Sequence, residues 1–127
     1  MRILVVGSGG VGDAVARIAA RRNFFEAMVV ADYDLARAER TVAAAAEADV
    51  VGARFAAAQV DASSAEAVAE LAREHEVTHV LNAVDPRFVM SVFEGAFAAG
   101  AHYLDMALSL SSPHPEKPYE LPGVKLG

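Results

Sequence analysis

Short apolar runs rich in β-branched residues alternate along this chain with longer, alanine-rich stretches whose apolar positions recur every three or four residues. That alternation predicts parallel βαβ units. Arg2 to Val6 predicts a first strand, buried on both faces because its apolar run does not alternate. Gly10 to about Arg22 predicts a helix with Val11, Val15 and Ile18 turned inward. Ala27 to Ala31 predicts a second strand, and Asp34 to about Glu47 a second helix with Leu35, Ala38 and Val42 inward. Phe55 to Val60 is a weaker third strand, since three alanines stand inside it. Ser63 or Ser64 caps the next helix, which runs to about Glu74 with Val68, Leu71 and Ala72 facing the sheet. Val77 to Ala83 is a fourth strand, ended by Asp85-Pro86, and Pro86 suits the entry of a helix from about Arg87 to Ala99. Gly100 stops that helix, and Ala101 to Asp105 forms a fifth strand. Right-handed crossovers then arrange the strands as a doubly wound parallel α/β sheet of order 3-2-1-4-5.

From Leu108 onward Ser111, Ser112, Pro113, Pro115, Pro118 and Pro122 leave no room for an extended apolar element. Residues 1–106 therefore form one domain. Residues 107–127 read either as a linker or as a loop that packs against an element the sequence does not contain. Composition agrees with a single globular domain: 127 residues, 54% hydrophobic and 22% charged. The net charge is −6, and no basic cluster exceeds Arg21-Arg22, which argues against nucleic-acid and anionic-membrane partners. The absence of cysteine removes disulfides, thiol nucleophiles and thiolate-bound metal, and fits a reducing cytoplasm. No apolar run is long enough to span a membrane or to serve as a signal peptide.

The candidate chemistry lies in Gly7-Ser8-Gly9-Gly10-Val11-Gly12, a G-x-G-x-x-G turn. It follows a buried strand, opens an amphipathic helix and is succeeded by a second strand, and Asp32 stands 20 residues beyond Gly12. Together these mark a Rossmann-type dinucleotide site. Gly7 permits the tight turn, Gly9 lets backbone approach a pyrophosphate, and Gly12 lets helix and strand pack closely. Free N–H groups at the helix mouth, aided by its dipole, hold the phosphates. Asp32, with Tyr33 beside it, is placed to read the adenosine ribose hydroxyls. A 2′-phosphate there would meet Asp32 and Asp34, so NAD is favoured over NADP, although Arg37 lies one helical turn beyond Asp34 and could swing back. Asp61, followed by Ala62, either accepts from the adenine amino group or begins the next helix. Asn82-Ala83-Val84 ends the fourth strand on the ligand-binding edge of such sheets. There Asn82 either serves the nicotinamide half or satisfies its own turn.

Three further patterns are weighed and set aside. His75-Glu76-Val77-Thr78-His79 has the letters of a zinc helix motif but straddles a helix end and a strand start. Asp13 stands where a P-loop needs lysine. Tyr33, Tyr103 and Tyr119 are followed four positions later by Arg37, Ala107 and Gly123, so no Tyr-x-x-x-Lys pair exists. The set Phe88, Val89, Val92, Phe93 and Phe97 reads as helix core.

The stretches Ile3 to Gly12, Val30-Ala31-Asp32-Tyr33-Asp34, Leu81-Asn82-Ala83-Val84-Asp85-Pro86 and His102-Tyr103-Leu104-Asp105-Met106 resemble the amino-terminal domain of saccharopine dehydrogenase-like proteins. The resemblance implies an oxidoreductase that moves hydride between a nicotinamide cofactor and the carbon of a C–N bond in an amino-acid-derived substrate. By the same resemblance Gly7, Gly9, Gly12, Asp32, Asp61 and Asn82 line the cofactor, while Asp85 and Asp105 face nicotinamide and substrate. The family's substrate-binding and dimerising domain is expected beyond Gly127. The chain as given is therefore expected to bind cofactor with negligible turnover, and an edge left exposed would favour a homodimer. Two other readings use a similar turn: an NAD-sensing regulatory domain of the potassium-transport type, and an FAD-binding half-domain.

Overall fold

The computed structural model describes residues 1–106. In chain order it contains β1 (Arg2–Val6), α1 (Gly10–Ala19), β2 (Ala27–Asp32), α2 (Leu35–Glu47), β3 (Phe55–Gln59), α3 (Ala65–Glu74), β4 (His79–Asn82), a 3-10 turn at Pro86–Phe88, α4 (Val89–Ala98) and β5 (His102–Asp105). All strand pairs are parallel and the order is β3-β2-β1-β4-β5, as the pattern predicts. The linker expected at 107–127 lies outside the described residues. Among the described residues no helix is long and apolar enough to cross a membrane.

The central strand explains the double layer. Leu4, Val5 and Val6 are fully buried, and successive side chains point to opposite faces. Leu4 and Val6 join Val80 and the α3 and α4 residues Val68, Leu71, Val92 and Ala96. Val5 joins Met28, Val30 and the helical alanines Ala16, Ala19, Ala38 and Ala45 on the other face. Gly95 sets the spacing of α3 and α4: a Cβ there would lie 2.7 Å from the Ala65 carbonyl oxygen and from Val68 Cβ.

Several expectations about faces and ends are corrected. In α1 the sheet-side stripe is Gly12, Ala16 and Ala19, while Val11 and Ile18 are 49% and 61% exposed. Small residues win that face because they let the helix lie close to the strands, which larger side chains would prevent. The helix also ends at Ala19 rather than Arg22. Leu35, at the start of α2, is exposed, and Thr41 takes a buried place beside Ala38 and Ala45. Phe97 is 77% exposed rather than core. His75 is the C-cap of α3, Glu76 takes a left-handed φ of 52°, and His79 opens β4, so the two histidines share no helical face.

At the end of the sheet remote from the glycine turn, Arg54 is buried against Asp49. Its Nη2 lies 2.6 Å from Asp49 Oδ1 and also donates to the Ala20 carbonyl, and its guanidinium stacks 4.0 Å over the Phe25 ring. This cluster ties the C-terminal end of α1 to the segment entering β3.

Candidate functional site

The carboxyl ends of β1, β2 and β4 converge on the glycine turn. Gly7 is buried with φ 100° and donates its N–H to the Ala31 carbonyl at 2.7 Å. An added Cβ would meet Val84 Cγ1 at 2.6 Å, so glycine is required both for conformation and for space. A Cβ on Gly12 would fall on the Gly7 carbonyl oxygen. Gly9 is the N-cap of α1 and offers no side-chain cap, and the first amide bonded back into the helix is Asp13 N–H, to the Gly9 carbonyl at 2.9 Å. Gly9 and Gly10 are exposed, and a Cβ on either would meet nothing within 4 Å. The helix mouth therefore presents amides, a positive dipole end and open space, the three things a diphosphate needs.

Asp32 is turned into this mouth. Its Oδ2 accepts from the Ser8 amide at 2.8 Å and the Ser8 hydroxyl at 2.9 Å, and its Oδ1 accepts from the Asp34 amide at 3.0 Å. Arg37 Nη1 lies 3.8 Å from Oδ1. Burial pushes this carboxyl up, but the Ser8 and Asp34 donors and the Arg37 charge outweigh it and hold it below the usual carboxylate range. Asp32 is thus an anion at neutral pH that organises the glycine turn as well as facing its opening.

A hollow of about 330 Å³ lies on one side of the turn, lined by Gly7, Asp32, Tyr33, Arg37, Asp61, Ala62 and Phe88 among others. A second, of about 250 Å³, is lined by Val11, Asn82, Ala83, Val84, Pro86 and Met106. The two hollows and the helix mouth collect the residues expected of a cofactor site. Tyr33 is 74% exposed at the rim. Of the two readings left open for Asp61, the structure places it at the helix entry: its Oδ1 accepts from the Ser63 amide at 2.9 Å and hydroxyl at 2.6 Å, forming the turn into α3, and the residue also lines the first hollow. The Ser63 donors hold the Asp61 carboxyl below its ordinary value.

Asn82 is buried and engaged at both ends. Its Oδ1 accepts from the Val84 amide at 3.1 Å and its Nδ2 donates to Tyr103 Oη at 3.1 Å. It satisfies its own turn while bordering the second hollow. Burial, then the Asp105 charge, push the Tyr103 hydroxyl up to about 12 against the opposing Asn82 bond, so it is a phenol at any ordinary pH.

Asp85 caps the 3-10 turn by accepting from the Arg87 amide at 3.0 Å. Asp105 lines a third hollow with Phe93, Phe97 and Leu104. These two carboxylates therefore line neither of the hollows beside the glycine turn. Sequence reasoning missed Val60, Ser63, Phe88 and Met106 as lining residues. Only Ser63, two positions past Asp61 in an Asx turn, carried a local signal.

Residues 3–123 match the model of the family described as the saccharopine dehydrogenase NADP binding domain. Among solved structures, apo histidine-tagged saccharopine dehydrogenase (L-Glu forming) from Saccharomyces cerevisiae aligns with a TM-score of 0.66 at 18% identity, over 82% of this chain and 21% of that one. Quinate dehydrogenase from Corynebacterium glutamicum in complex with NAD aligns at 0.54 and 21% identity, over 81% of this chain and 43% of that one. The binary complex of leucoanthocyanidin reductase and NADPH from Vitis vinifera aligns at 0.54 and 17% identity, over 81% of this chain and 35% of that one. This chain spans less than half the length of each, and the likeness to these three is one of fold. With the glycine turn, its acidic partner and all but a few residues covered by the family match, the chain belongs to the saccharopine dehydrogenase NADP binding domain family.

Proposed function

We propose that this domain holds a nicotinamide dinucleotide, NAD in preference to NADP, for hydride exchange with the carbon of a C–N bond in an amino-acid-derived substrate. The observation that carries the reading is the Asp32–Ser8 pair at the mouth of α1, flanked by one hollow on each side. The first-turn amides of α1 bind the diphosphate, and Asp32 accepts from the adenosine ribose. Tyr33, Ala62 and Phe88 border the adenine. Val11, Ala83 and Val84 offer an apolar floor to the nicotinamide and exclude water from one of its faces. The cofactor supplies the hydride, and the protein decides which face is presented.

The preference for NAD rests on charge. The family description names NADP, and Arg37 is the cation among the residues lining the adenosine-side hollow. Arg37 is already paired with Asp32. A 2′-phosphate would have to break that pair and lie beside Asp32, and like-charge juxtaposition costs several kcal/mol. With Arg37 offsetting part of it, NAD should bind about tenfold tighter, a difference of about 1.4 kcal/mol. Because Asp85 and Asp105 lie outside both hollows, we further propose that the 127-residue chain binds cofactor without appreciable turnover. Calorimetric titration with NAD, NADP and FAD tests the reading. Saturable heat with NAD, weaker heat with NADP and none with FAD supports it. No heat with either nicotinamide cofactor at millimolar concentration overturns it.

A further inference from the structure

None of the β5 residues lines either hollow beside the glycine turn. One of its side chains nevertheless reaches the strand that does. The register pairs Val80 with Tyr103 and Asn82 with Asp105, so alternation puts these four side chains on one face of the sheet. That face is covered by α3 and α4. Phe93 of α4 meets the Tyr103 ring edge-on, with 5.4 Å between centroids. So held, the phenol lies 3.1 Å from Asn82 Nδ2.

The hydroxyl has to accept at that contact. Asn82 Oδ1 is committed to the Val84 amide, and a flipped carboxamide would set Nδ2 against that N–H, donor to donor. Nδ2 therefore donates to Tyr103 Oη, whose own hydrogen turns elsewhere. The Val89 carbonyl oxygen at the start of α4 lies 3.5 Å away, and the Asp105 carboxylate stands close enough to help push the phenol up, after burial, to about 12. Asn82 is only 3% exposed, so solvent is a poor substitute for the phenol. Val84, whose amide Asn82 holds, borders both hollows. It also packs on the glycine turn, where a Cβ added to Gly7 would meet Val84 Cγ1 at 2.6 Å.

We propose that Tyr103 is a positioning residue for the cofactor: its hydroxyl fixes the Asn82 carboxamide, and the carboxamide fixes the turn at Asn82-Ala83-Val84. The inference rests on reading this site as a nicotinamide dinucleotide site. Asn82, Ala83 and Val84 stand together only in the second hollow, so the effect falls on the nicotinamide half.

Tyr103→Phe removes the hydroxyl and keeps the ring. Calorimetry on the 127-residue chain compares NAD with ADP-ribose, which lacks the nicotinamide. The variant should bind NAD about fivefold more weakly, the worth of one hydrogen bond, with ADP-ribose unchanged. In the cofactor-free variant the Val84 amide, followed by NMR, should exchange its hydrogen faster. Phe93→Leu loosens the packing of the ring and leaves the hydroxyl in place. Its ratio of NAD to ADP-ribose affinity should stay that of the unaltered chain. Equal losses of both ligands in Tyr103→Phe, an unchanged NAD affinity, or unchanged exchange at Val84 overturns the proposal and leaves the cofactor reading standing. A shift of the ratio in Phe93→Leu as large as in Tyr103→Phe also overturns it, since the loss would then come from packing. An unaltered chain that binds neither ligand overturns both.

Discussion

Asp32 performs two tasks at once, and they separate by atom. Oδ2 is spent on Ser8, whose amide and hydroxyl it holds, while Oδ1 carries the Asp34 amide and faces Arg37. Removing the carboxylate therefore loosens the glycine turn and, under the proposed function, also deletes a ribose acceptor. Gly12 shows the same coupling of shape and binding. Gly12→Ala would drive a methyl into the Gly7 carbonyl, and overpacking of this kind costs about 1–3 kcal/mol. The variant should melt earlier and lose at least tenfold in NAD affinity, whereas Gly10→Ala, with nothing within 4 Å of its Cβ, should keep its melting temperature. Thermal unfolding and calorimetry on the two variants check this. An intact affinity in Gly12→Ala would mean that the turn can open without harm.

Elements are held by contacts that periodicity does not reveal. Asp49 and Arg54 have side chains 1% and 4% exposed, and their ion pair fastens the loop between α2 and β3 to the end of α1. The Arg54 bond, opposed by burial and helped by the Gly52, Val51 and Arg54 amides, holds the Asp49 carboxyl down to about 2. Breaking a buried pair by removing one partner costs about 3–5 kcal/mol, so Asp49→Asn should be destabilised at pH 7. Since the folded pKa lies below the unfolded one, the native advantage is complete above the ordinary value of 3.8 and is lost as pH falls toward about 2. The gap in unfolding free energy between native and variant, read by denaturant titration, should shrink over that interval; a constant gap would assign the loss to packing. Strand order and the glycine turn were legible because buried β-branched runs and a turn that only glycine can make leave strong local marks. The face of α1 was not, because Gly12, Ala16 and Ala19 bury the stripe through smallness, a signal submerged in an alanine-rich chain. Asn82 was legible in position alone: its tie to Tyr103 joins β4 to β5 across 21 residues of sequence.

At the scale of the whole molecule, an acidic protein holding an anionic ligand must bring the charge it needs from backbone dipoles. The net charge of −6 opposes any dinucleotide, and a 2′-phosphate adds to that opposition at the point where Asp32 and Asp34 stand. If the preference for NAD is this repulsion, it must weaken with salt, because the Debye length falls from about 10 Å at 0.1 M to about 3 Å at 1 M. The contribution of the α1 amides at contact distance changes much less. The ratio of NADP to NAD dissociation constants, measured by calorimetry at 0.05 M and 0.5 M salt, should therefore fall several-fold. Arg37→Ala should raise the ratio at low salt, since the cation offsetting Asp32 is gone, and steepen its decline with salt. A ratio that does not move with salt would place the discrimination in the shape of the hollow between Tyr33 and Ser63 rather than in its charge. One that rises would make Arg37 the dominant partner of the phosphate and reverse the order of the two cofactors.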